Sequence, residues 1–256
     1  MKNILSHAHR EVLEQFVWSE VVLAFDLDGT LAPIVPDPSR AKLRPETRDL
    51  LSQVARLFRV IVISGRSQSD AIGKLGGVNV LGVIGNHGIE PWHKDLGQLE
   101  EVERWMPALD SSLRSLPGVT IENKKFSLAI HYRHSREKAR AREAILDAAA
   151  RLDDARIIGG KQVVNLLPQG APHKGMALER ERERLHCDTA IYVGDDETDE
   201  DVFALDQPGR LLTIRVGPNR TSAAMYSIPD QSSIDELLRV LLDLRHESGQ
   251  RRRALR

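Results

Sequence analysis

Short apolar runs that stop abruptly at polar residues mark the first part of the chain. The run Val21–Phe25 is followed directly by Asp26, and the run at residues 60–63 is followed by Ser64. Between them, residues 44–57 carry apolar side chains at helical spacing. Short continuous apolar runs are typical of strands that are buried on both faces of a parallel sheet. The order strand, helix, strand therefore predicts right-handed βαβ units.

The middle of the chain has a different rhythm. Apolar residues at helical spacing predict helices at residues 99–116 and 136–152, and each helix is followed by two short strand-like segments. The four strands are predicted at residues 119–123, 126–132, 155–158 and 162–166. A helix–strand–strand unit that occurs twice predicts an α+β insertion with an antiparallel sheet.

Parallel character returns in the last third of the chain. A helix predicted at residues 173–185 precedes strand-like runs at residues 189–193 and Leu211–Val216. A last helix is predicted at residues 233–244, and we expect the arginine-rich tail from Arg245 to be a frayed, solvated end.

The combined pattern predicts an α/β fold. Its core is a Rossmann-like parallel sheet with helices, formed by residues 1–97 and 169–256. The core is interrupted at residues 98–168 by an α+β cap with an antiparallel sheet and two helices.

Composition and charge narrow the class of protein. The 256 residues include 36 Lys and Arg against 37 Asp and Glu, a formal net charge of −1, so there is no general electrostatic case for nucleic-acid binding. Hydrophobic residues make up 41% of the chain, which argues against disorder. The longest apolar run near the start, Val21–Phe25, is far shorter than the ~20 residues that cross a bilayer, so we expect no membrane association.

The cysteine content and the start of the chain bear on the compartment. Cys187 is the only cysteine, which excludes an intrachain disulfide and fits a reducing environment. The first ten residues contain no apolar stretch, so no signal peptide is expected. These features predict a cytoplasmic protein.

Acidic residues cluster where the predicted parallel strands end. Asp26 and Asp28 follow one strand, and Asp195, Asp196 and Asp199 follow another. Ligands bind at the carboxyl edge of open α/β sheets, so these residues can converge although they are far apart in the sequence. Carboxylates at one place repel each other unless a cation lies between them, and oxygen-only ligands favour Mg²⁺. Taken alone, Asp199 is as well explained as a helix cap or a turn residue.

Lys174 has a place in the same cluster. It stands at the start of a predicted helix, just ahead of the last acidic strand. A lysine there opposes the helix dipole, because cations are disfavoured at a helix N-terminus. A cation that holds an anionic nucleophile and a phosphate explains this position better than an ordinary exposed lysine does.

These residues together resemble the motifs of the haloacid dehalogenase (HAD) superfamily of phosphatases. The order of the residues and their strand context both match those motifs. The set of motifs is specific, whereas any one of them alone would be a weak signal. The first motif is similar to Asp26-Leu27-Asp28-Gly29-Thr30, the second to Ser64, the third to Lys174, and the fourth to Gly194-Asp195-Asp196 with Asp199.

The resemblance implies a HAD core and a role for each motif residue. Asp26 is expected to attack phosphorus and to become an aspartyl phosphate. Asp28 is expected to protonate the leaving alcohol and then to deprotonate the hydrolytic water. Ser64 and Lys174 are expected to hold phosphoryl oxygens.

The resemblance also implies a Mg²⁺ cofactor. Its expected ligands are Asp26, the backbone carbonyl of Asp28 and Asp195, with Asp199 in a supporting role.

Outside these motifs the chain resembles the trehalose-6-phosphate phosphatase family from about residue 21 to residue 216. The segments that carry this resemblance are Ser64-Gly65-Arg66, Gly85-Asn86-His87-Gly88-Ile89-Glu90, Glu122-Asn123-Lys124, His131-Tyr132-Arg133 and Gly194-Asp195-Asp196-Glu197-Thr198-Asp199-Glu200. The resemblance implies that the cap closes over the active site and reads a small phosphorylated sugar. It also suggests a functional link to a trehalose-6-phosphate synthase. The substrate-binding residues expected on this basis are Arg66, Asn86, His87, Glu122, Lys124, His131 and Arg133.

The cap residues also have simpler explanations. Glu122 and Lys124 could form an exposed cross-strand polar pair, and His131 could be a hydrogen-bonded histidine of the sheet. The sequence departs from the family at Asn165, where a sugar-binding Glu is expected. Asn165 keeps hydrogen-bonding groups and remains a candidate substrate contact, but it supplies no charge.

Several functions are compatible with these features. Trehalose 6-phosphate is the first candidate substrate, and another disaccharide phosphate or a sugar-glycerol phosphate stays open because of Asn165. A phosphosugar mutase would share the aspartyl chemistry. A phospho-acceptor signalling domain also gathers carboxylates and a lysine at a sheet edge, but the insertion and the second acid, Asp28, argue against it.

Overall fold

The computed structural model describes residues 1–92, 96–160 and 162–254 of the chain. In these ranges the strands are β1 (Lys2–Asn3), β2 (Val21–Phe25), β3 (Arg59–Ile63), β4 (Gly82–Ile84), β5 (Thr120–Asn123), β6 (Leu128–His131), β7 (Ala155–Gly160), β8 (Val163–Pro168), β9 (Thr189–Gly194), β10 (Leu211–Val216) and β11 (Tyr226–Ile228). The α-helices are α1 (Arg10–Val17), α2 (Pro45–Leu57), α3 (Gln68–Lys74), α4 (Leu96–Leu113), α5 (Lys138–Ala149), α6 (Lys174–Arg184), α7 (Glu200–Phe203) and α8 (Ile234–Ala254).

A parallel sheet forms the larger unit, with the strand order β1-β11-β10-β9-β2-β3-β4. Side chains alternate across this sheet, so that Leu23 and Phe25 of β2 pack on one face while Val22 and Ala24 pack on the other. Helices α1, α2 and α8 cover the first face, and α6 and α7 cover the second. A strand between two helical layers must be apolar on both sides, which explains the continuous run in the sequence.

A separate antiparallel sheet, with the order β5-β6-β8-β7, forms the cap. One face of this sheet packs on helices α4 and α5 through a core that includes Leu109, Ile130, Ile145 and Leu166. The predicted α/β fold with an antiparallel cap is therefore confirmed. The bounds predicted for the two units stay a prediction.

Helix α8 continues to Ala254, so the frayed tail predicted from Arg245 is wrong up to that residue. The Arg245 side chain donates from Nη1 to the carbonyl of Val17 at 2.9 Å and from Nε to the carbonyl of Leu57 at 3.3 Å. Its guanidinium also lies 4.7 Å from the centre of the Phe58 ring. Arg245, the first residue of the predicted tail, is therefore held by specific contacts with the core, which composition alone does not predict.

The N-terminal elements were not predicted, although α1 carries a recognisable signal. Its buried residues, Leu13, Phe16 and Val17, have helical spacing. Strand β1, with two residues, and its partner β11 near the other end of the chain, with three, are too short to show a pattern in the sequence.

Across the described part of the chain, the helices are too short or too polar to cross a membrane.

Candidate active site

Acidic residues follow two neighbouring strands at one edge of the parallel sheet. Strands β2 and β9 pair so that Phe25 lies opposite Val193, and the chain then continues to Asp26 on one side and towards Asp195 on the other. Asp199 lies in the turn that follows β9. One carboxylate oxygen from each of the three aspartates lies within 4.8 Å of the other two, and all three residues are buried. The structure thus brings three of the predicted acids together, and Asp28 and Asp196 are not in this group of carboxylates.

Gly29 makes room for the carboxylate of Asp195. Its φ is +91°, and a Cβ atom at this position would lie 2.2 Å from Oδ2 of Asp195. Only glycine combines this backbone conformation with the space that the carboxylate needs. The loop after β2 therefore supplies one acid, Asp26, and accommodates a second one from β9.

Lys174 lies among these acids. As the first residue of α6 it is 1% exposed, and its Nζ lies 2.7 Å from Oδ1 of both Asp26 and Asp199. Burial disfavours the ammonium charge, but the charges of Asp199 and Asp26 outweigh this effect and raise the pKa of Lys174. The lysine is therefore a fixed positive charge at the base of the site.

Asp199 accepts several hydrogen bonds within the site. Besides Lys174, it accepts hydrogen bonds from the Tyr192 hydroxyl at 2.6 Å and from the backbone N–H groups of Asp195 at 2.7 Å and Asp196 at 2.8 Å. Burial alone would raise the pKa of Asp199, but Lys174 and the Tyr192 hydroxyl overcome this effect and lower it. Sequence analysis missed Tyr192, whose one signal is a hydroxyl inside an otherwise apolar strand.

Asp26 has the opposite electrostatic environment. Burial raises the pKa of its carboxyl well above the ordinary value; Lys174 opposes this shift, and the charges of Asp199 and Asp195 add to it. With all three aspartates ionised and Lys174 protonated, the cluster carries a formal charge of −2. A cluster with only oxygen ligands and this charge fits a hard divalent cation such as Mg²⁺.

The side chain of Asp28 pairs with Arg66 and is not one of the three clustered carboxylates. The guanidinium donates from Nε to Oδ2 of Asp28 at 2.6 Å and from Nη2 to Oδ1 at 2.8 Å. Arg66 also donates to Asp70 of α3 and to the carbonyl of Pro38. The metal contact expected of the Asp28 backbone carbonyl stays a prediction.

Ser64 and His87 line the same cavity from the loops after β3 and β4. His87 is 4% exposed, has a φ of 60°, and has no hydrogen-bond partner for either ring nitrogen among the described residues. Burial, aided by the charges of Lys124 and Lys174, lowers the pKa of His87 well below its ordinary value. The ring is thus a neutral donor and acceptor that faces the cavity.

The cap presents a polar face to the cavity because of its strand register. Glu122 pairs with Ala129, which pairs with Asn165, so these three residues share one face of the sheet. His131 is two residues beyond Ala129 and lies on the same face, where its Nε2 is 2.9 Å from Oε2 of Glu122. The hydrogen bond from His131 lowers the pKa of Glu122. The alternate positions Ile121, Ile130 and Leu166 belong to the cap core, which is why polar and apolar residues alternate along these strands.

Two cap cations contact the core directly. Lys124 donates to the carbonyl of Gly65 at 3.1 Å. Arg133 donates to the carbonyls of Val35 and Pro36 in the loop after β2. Both cations line the cavity and hold the cap against the core at the same time.

Asn86 is not among the described residues that line the cavity. It is fully buried, donates from Nδ2 to the carbonyl of Lys124 at 3.1 Å, and accepts from the Ser127 hydroxyl at 3.1 Å. Its contacts join the core to the turn between β5 and β6.

The cavity between the two units has a volume of about 520 Å³. The predicted residues that line it are Asp26, Asp28, Ser64, Arg66, His87, Glu122, Lys124, His131, Arg133, Asn165, Lys174 and Asp195. Sequence analysis missed Asp37, Asp70, Lys74, Thr120 and His134, which also line it. Asp70 and Lys74 are four residues apart on α3, a spacing that resembles an ordinary surface ion pair.

Comparison with known proteins points to one family. The family model described as trehalose-phosphatase matches residues 24–227. The chain is 30% identical to probable trehalose-phosphate phosphatase C of Arabidopsis thaliana, over 91% of this chain and 80% of that protein. It is 31% identical to the trehalose-phosphate phosphatase of Mycolicibacterium paratuberculosis, over 86% of this chain and 61% of that protein. The C-terminal domain of C. albicans trehalose-6-phosphate phosphatase has a similar structure, with a TM-score of 0.77 at 23% identity, covering 92% of this chain and 97% of that one.

Proposed function

Since the chain belongs to the trehalose-phosphatase family, we propose that it hydrolyses trehalose 6-phosphate to trehalose and inorganic phosphate. Membership of this family makes the chain a phosphatase that acts on a phosphoric monoester. The observation that carries the choice of substrate is the cavity, which has a charged phosphate end at Asp26 and Lys174 and a polar cap face at Glu122 and His131.

Asp26 is the proposed nucleophile. Its carboxylate oxygen attacks phosphorus, the bond between phosphorus and the sugar oxygen breaks, and an aspartyl phosphate forms. Asp28 gives a proton to the departing sugar oxygen. In the second step Asp28 takes a proton from water, the water oxygen attacks phosphorus, and phosphate leaves with Asp26 restored. The position of Asp28 beside Asp26 in the cavity lining supports this role. Both oxygens of its carboxylate accept hydrogen bonds from Arg66, so this pair has to open before Asp28 can carry the proton that it gives to the sugar oxygen.

The remaining groups at the base of the cavity are proposed to bind the phosphoryl group. Ser64 donates a hydrogen bond to one phosphoryl oxygen, and the ammonium of Lys174 attracts another. Mg²⁺ would be held by Asp26, the backbone carbonyl of Asp28 and Asp195. Asp199 would keep Lys174 in place, together with the turn after β9 at residues 195–199, called the acidic turn below. When bound, Mg²⁺ supplies positive charge that offsets the repulsion between the nucleophile and the phosphate.

The polar cap face is proposed to bind the sugar. Glu122, His131 and Asn165 offer acceptors and donors on one side of the sheet, and His87 offers a neutral ring from the core. A site of this kind discriminates between sugars because the wrong sugar leaves buried polar groups unpaired. Asn165 makes this face less acidic than the family pattern, so a related phosphorylated sugar remains the second candidate.

A screen of phosphorylated sugars tests the proposal. Purified protein with Mg²⁺ is given trehalose 6-phosphate, a second disaccharide phosphate and a sugar-glycerol phosphate, and phosphate release is measured. We expect the highest kcat/KM with trehalose 6-phosphate and free trehalose as the product. A higher kcat/KM for another substrate would overturn the assignment.

The form of the product separates the other functions. A mutase would keep the phosphate on the sugar, and a signalling domain would accumulate a stable phosphoprotein. A synthase that supplies trehalose 6-phosphate and a cytoplasmic location stay predictions.

A further inference from the structure

Arg215 binds the backbone of the acidic turn from outside the cavity. It lies on β10 opposite Gly194 of β9 and is 8% exposed. Its Nη2 donates to the carbonyl of Asp195 at 2.6 Å, and its Nη1 lies 3.4 Å from the carbonyl of Asp196. Nη1 also donates to Oε1 of Glu200 at 2.9 Å.

The same turn is held from the inside by Asp199. That carboxylate accepts the N–H groups of Asp195 and Asp196, while Arg215 takes up their carbonyls. The backbone N–H and C=O groups of two consecutive residues, Asp195 and Asp196, therefore contact charged side chains, Asp199 on one side and Arg215 on the other. Glu200 extends this arrangement, since its Oε2 accepts the N–H of Ala223 in the segment after β10.

The arrangement acts on the acid cluster through the backbone. Arg215 is not among the described residues that line the cavity, so nothing suggests contact with a substrate. Its hydrogen bonds instead fix the backbone of Asp195, which is one of the three clustered acids.

We propose that Arg215 is a positioning residue for divalent-cation binding, and this inference rests on the Mg²⁺ dependence in the proposed function. The fork of the Arg215 guanidinium holds the turn so that Asp195 faces Asp26 with or without a cation. Groups that orient metal ligands in this way usually change metal affinity by about 10–100-fold when they are removed.

The test is Mg²⁺ binding to the complete chain without substrate, measured by titration calorimetry. Arg215→Met keeps most of the side-chain volume and removes every hydrogen bond, so we expect Mg²⁺ affinity to fall by about 10–100-fold. Arg215→Lys keeps the charge but loses the forked guanidinium, so its Mg²⁺ affinity should lie between that of Arg215→Met and that of the wild type. The kcat at saturating Mg²⁺ should change much less than the Mg²⁺ concentration that gives half-maximal rate.

Arg182→Met is the matched control. Arg182 is 3% exposed and pairs with Glu179 on α6, so its loss also removes a buried arginine. We expect this control to keep the Mg²⁺ affinity of the wild type even if it unfolds more easily.

The outcomes separate the two proposals. If the wild type binds no Mg²⁺, the metal dependence in the proposed function is wrong. If the wild type binds Mg²⁺ and Arg215→Met or Arg215→Lys binds it equally well, the role of Arg215 is wrong. Should Arg215→Met fail to fold, Arg215→Lys provides the measurement, and unchanged Mg²⁺ affinity in that variant would overturn the inference.

Discussion

At the scale of single residues, Asp26 and Asp199 show how one cluster can give two carboxylates different roles. Both are buried and both contact Lys174 at 2.7 Å. Asp199 has further donors in Tyr192 and the backbone, which lower its pKa, whereas burial raises the pKa of Asp26. The fully hydrogen-bonded carboxylate suits a structural role, and the less stabilised one suits a nucleophile whose charge is needed only when substrate and cation are bound.

Asp26→Asn should lower kcat by more than about 10³-fold, because an amide cannot replace the attacking carboxylate. Since burial and the charges of Asp199 and Asp195 disfavour an ionised Asp26, the neutral side chain should not lower the free energy of unfolding of the metal-free protein. Phosphate release and chemical denaturation measure the two effects. Activity close to wild type would refute the nucleophile, and a large loss of stability would refute the electrostatic explanation.

The sequence predicts the clustered acids better than it predicts their partners. Asp26 and Lys174 stand out because each breaks a local rule, an acid directly after a buried strand and a cation at a helix N-terminus. Tyr192 and Arg215 give a weaker signal, a hydroxyl and a guanidinium within apolar strands, which indicates a buried partner but not which one. Their roles depend on which backbone groups lie beside them after folding, and that information is long-range.

At the scale of secondary-structure elements, the start of α6 determines where Lys174 lies. Gly175, the next residue, faces the backbone of α7, and a Cβ atom there would lie 2.4 Å from the carbonyl oxygen of Asp201. Helix α6 can therefore pack this closely against α7, directly after the acidic turn, only without a side chain at this position. The apolar pattern predicts that α6 exists, but this close approach is visible only in the structure.

Gly175→Ala should push the start of α6 away from the acidic turn. Alanine favours a helix over glycine by about 1 kcal/mol, but backbone overlap of this kind usually costs about 1–3 kcal/mol, so we expect a net loss of stability. A displacement of Lys174 of about 1 Å should lower kcat by about 10²-fold. Denaturation and steady-state kinetics measure both effects.

Gly73→Ala is the control for this change. Gly73 lies in helix α3, and a Cβ atom there would have nothing within 4 Å. The same substitution should leave stability unchanged or raise it, because only helix propensity acts. If both variants behaved alike, the close approach of α6 would not matter.

At the scale of the whole molecule, the near-neutral charge hides two opposed surfaces. The formal net charge is −1, yet the core gathers carboxylates while the cap contributes Lys124 and Arg133 to the same cavity. The ion pair between Arg156 of the cap and Asp201 of the core adds a contact between the two units. A cation bound among the clustered carboxylates of the core would therefore reduce the repulsion between them.

Mg²⁺ should raise the thermal stability of the chain, because only the folded state brings Asp26, Asp195 and Asp199 together. A ligand at 100 times its dissociation constant stabilises by about 2.7 kcal/mol, which for a chain of this length corresponds to a Tm increase of about 5–10 °C. Thermal unfolding with MgCl₂, against NaCl at equal ionic strength, measures this shift. Asp195→Asn should behave differently from the wild type. Without metal, the variant should be at least as stable as the wild type, because one of the repelling charges is gone. With Mg²⁺, its Tm should rise only a little, because one of the ligands is lost. Equal Mg²⁺ shifts in the wild type and Asp195→Asn would mean that the cation binds elsewhere.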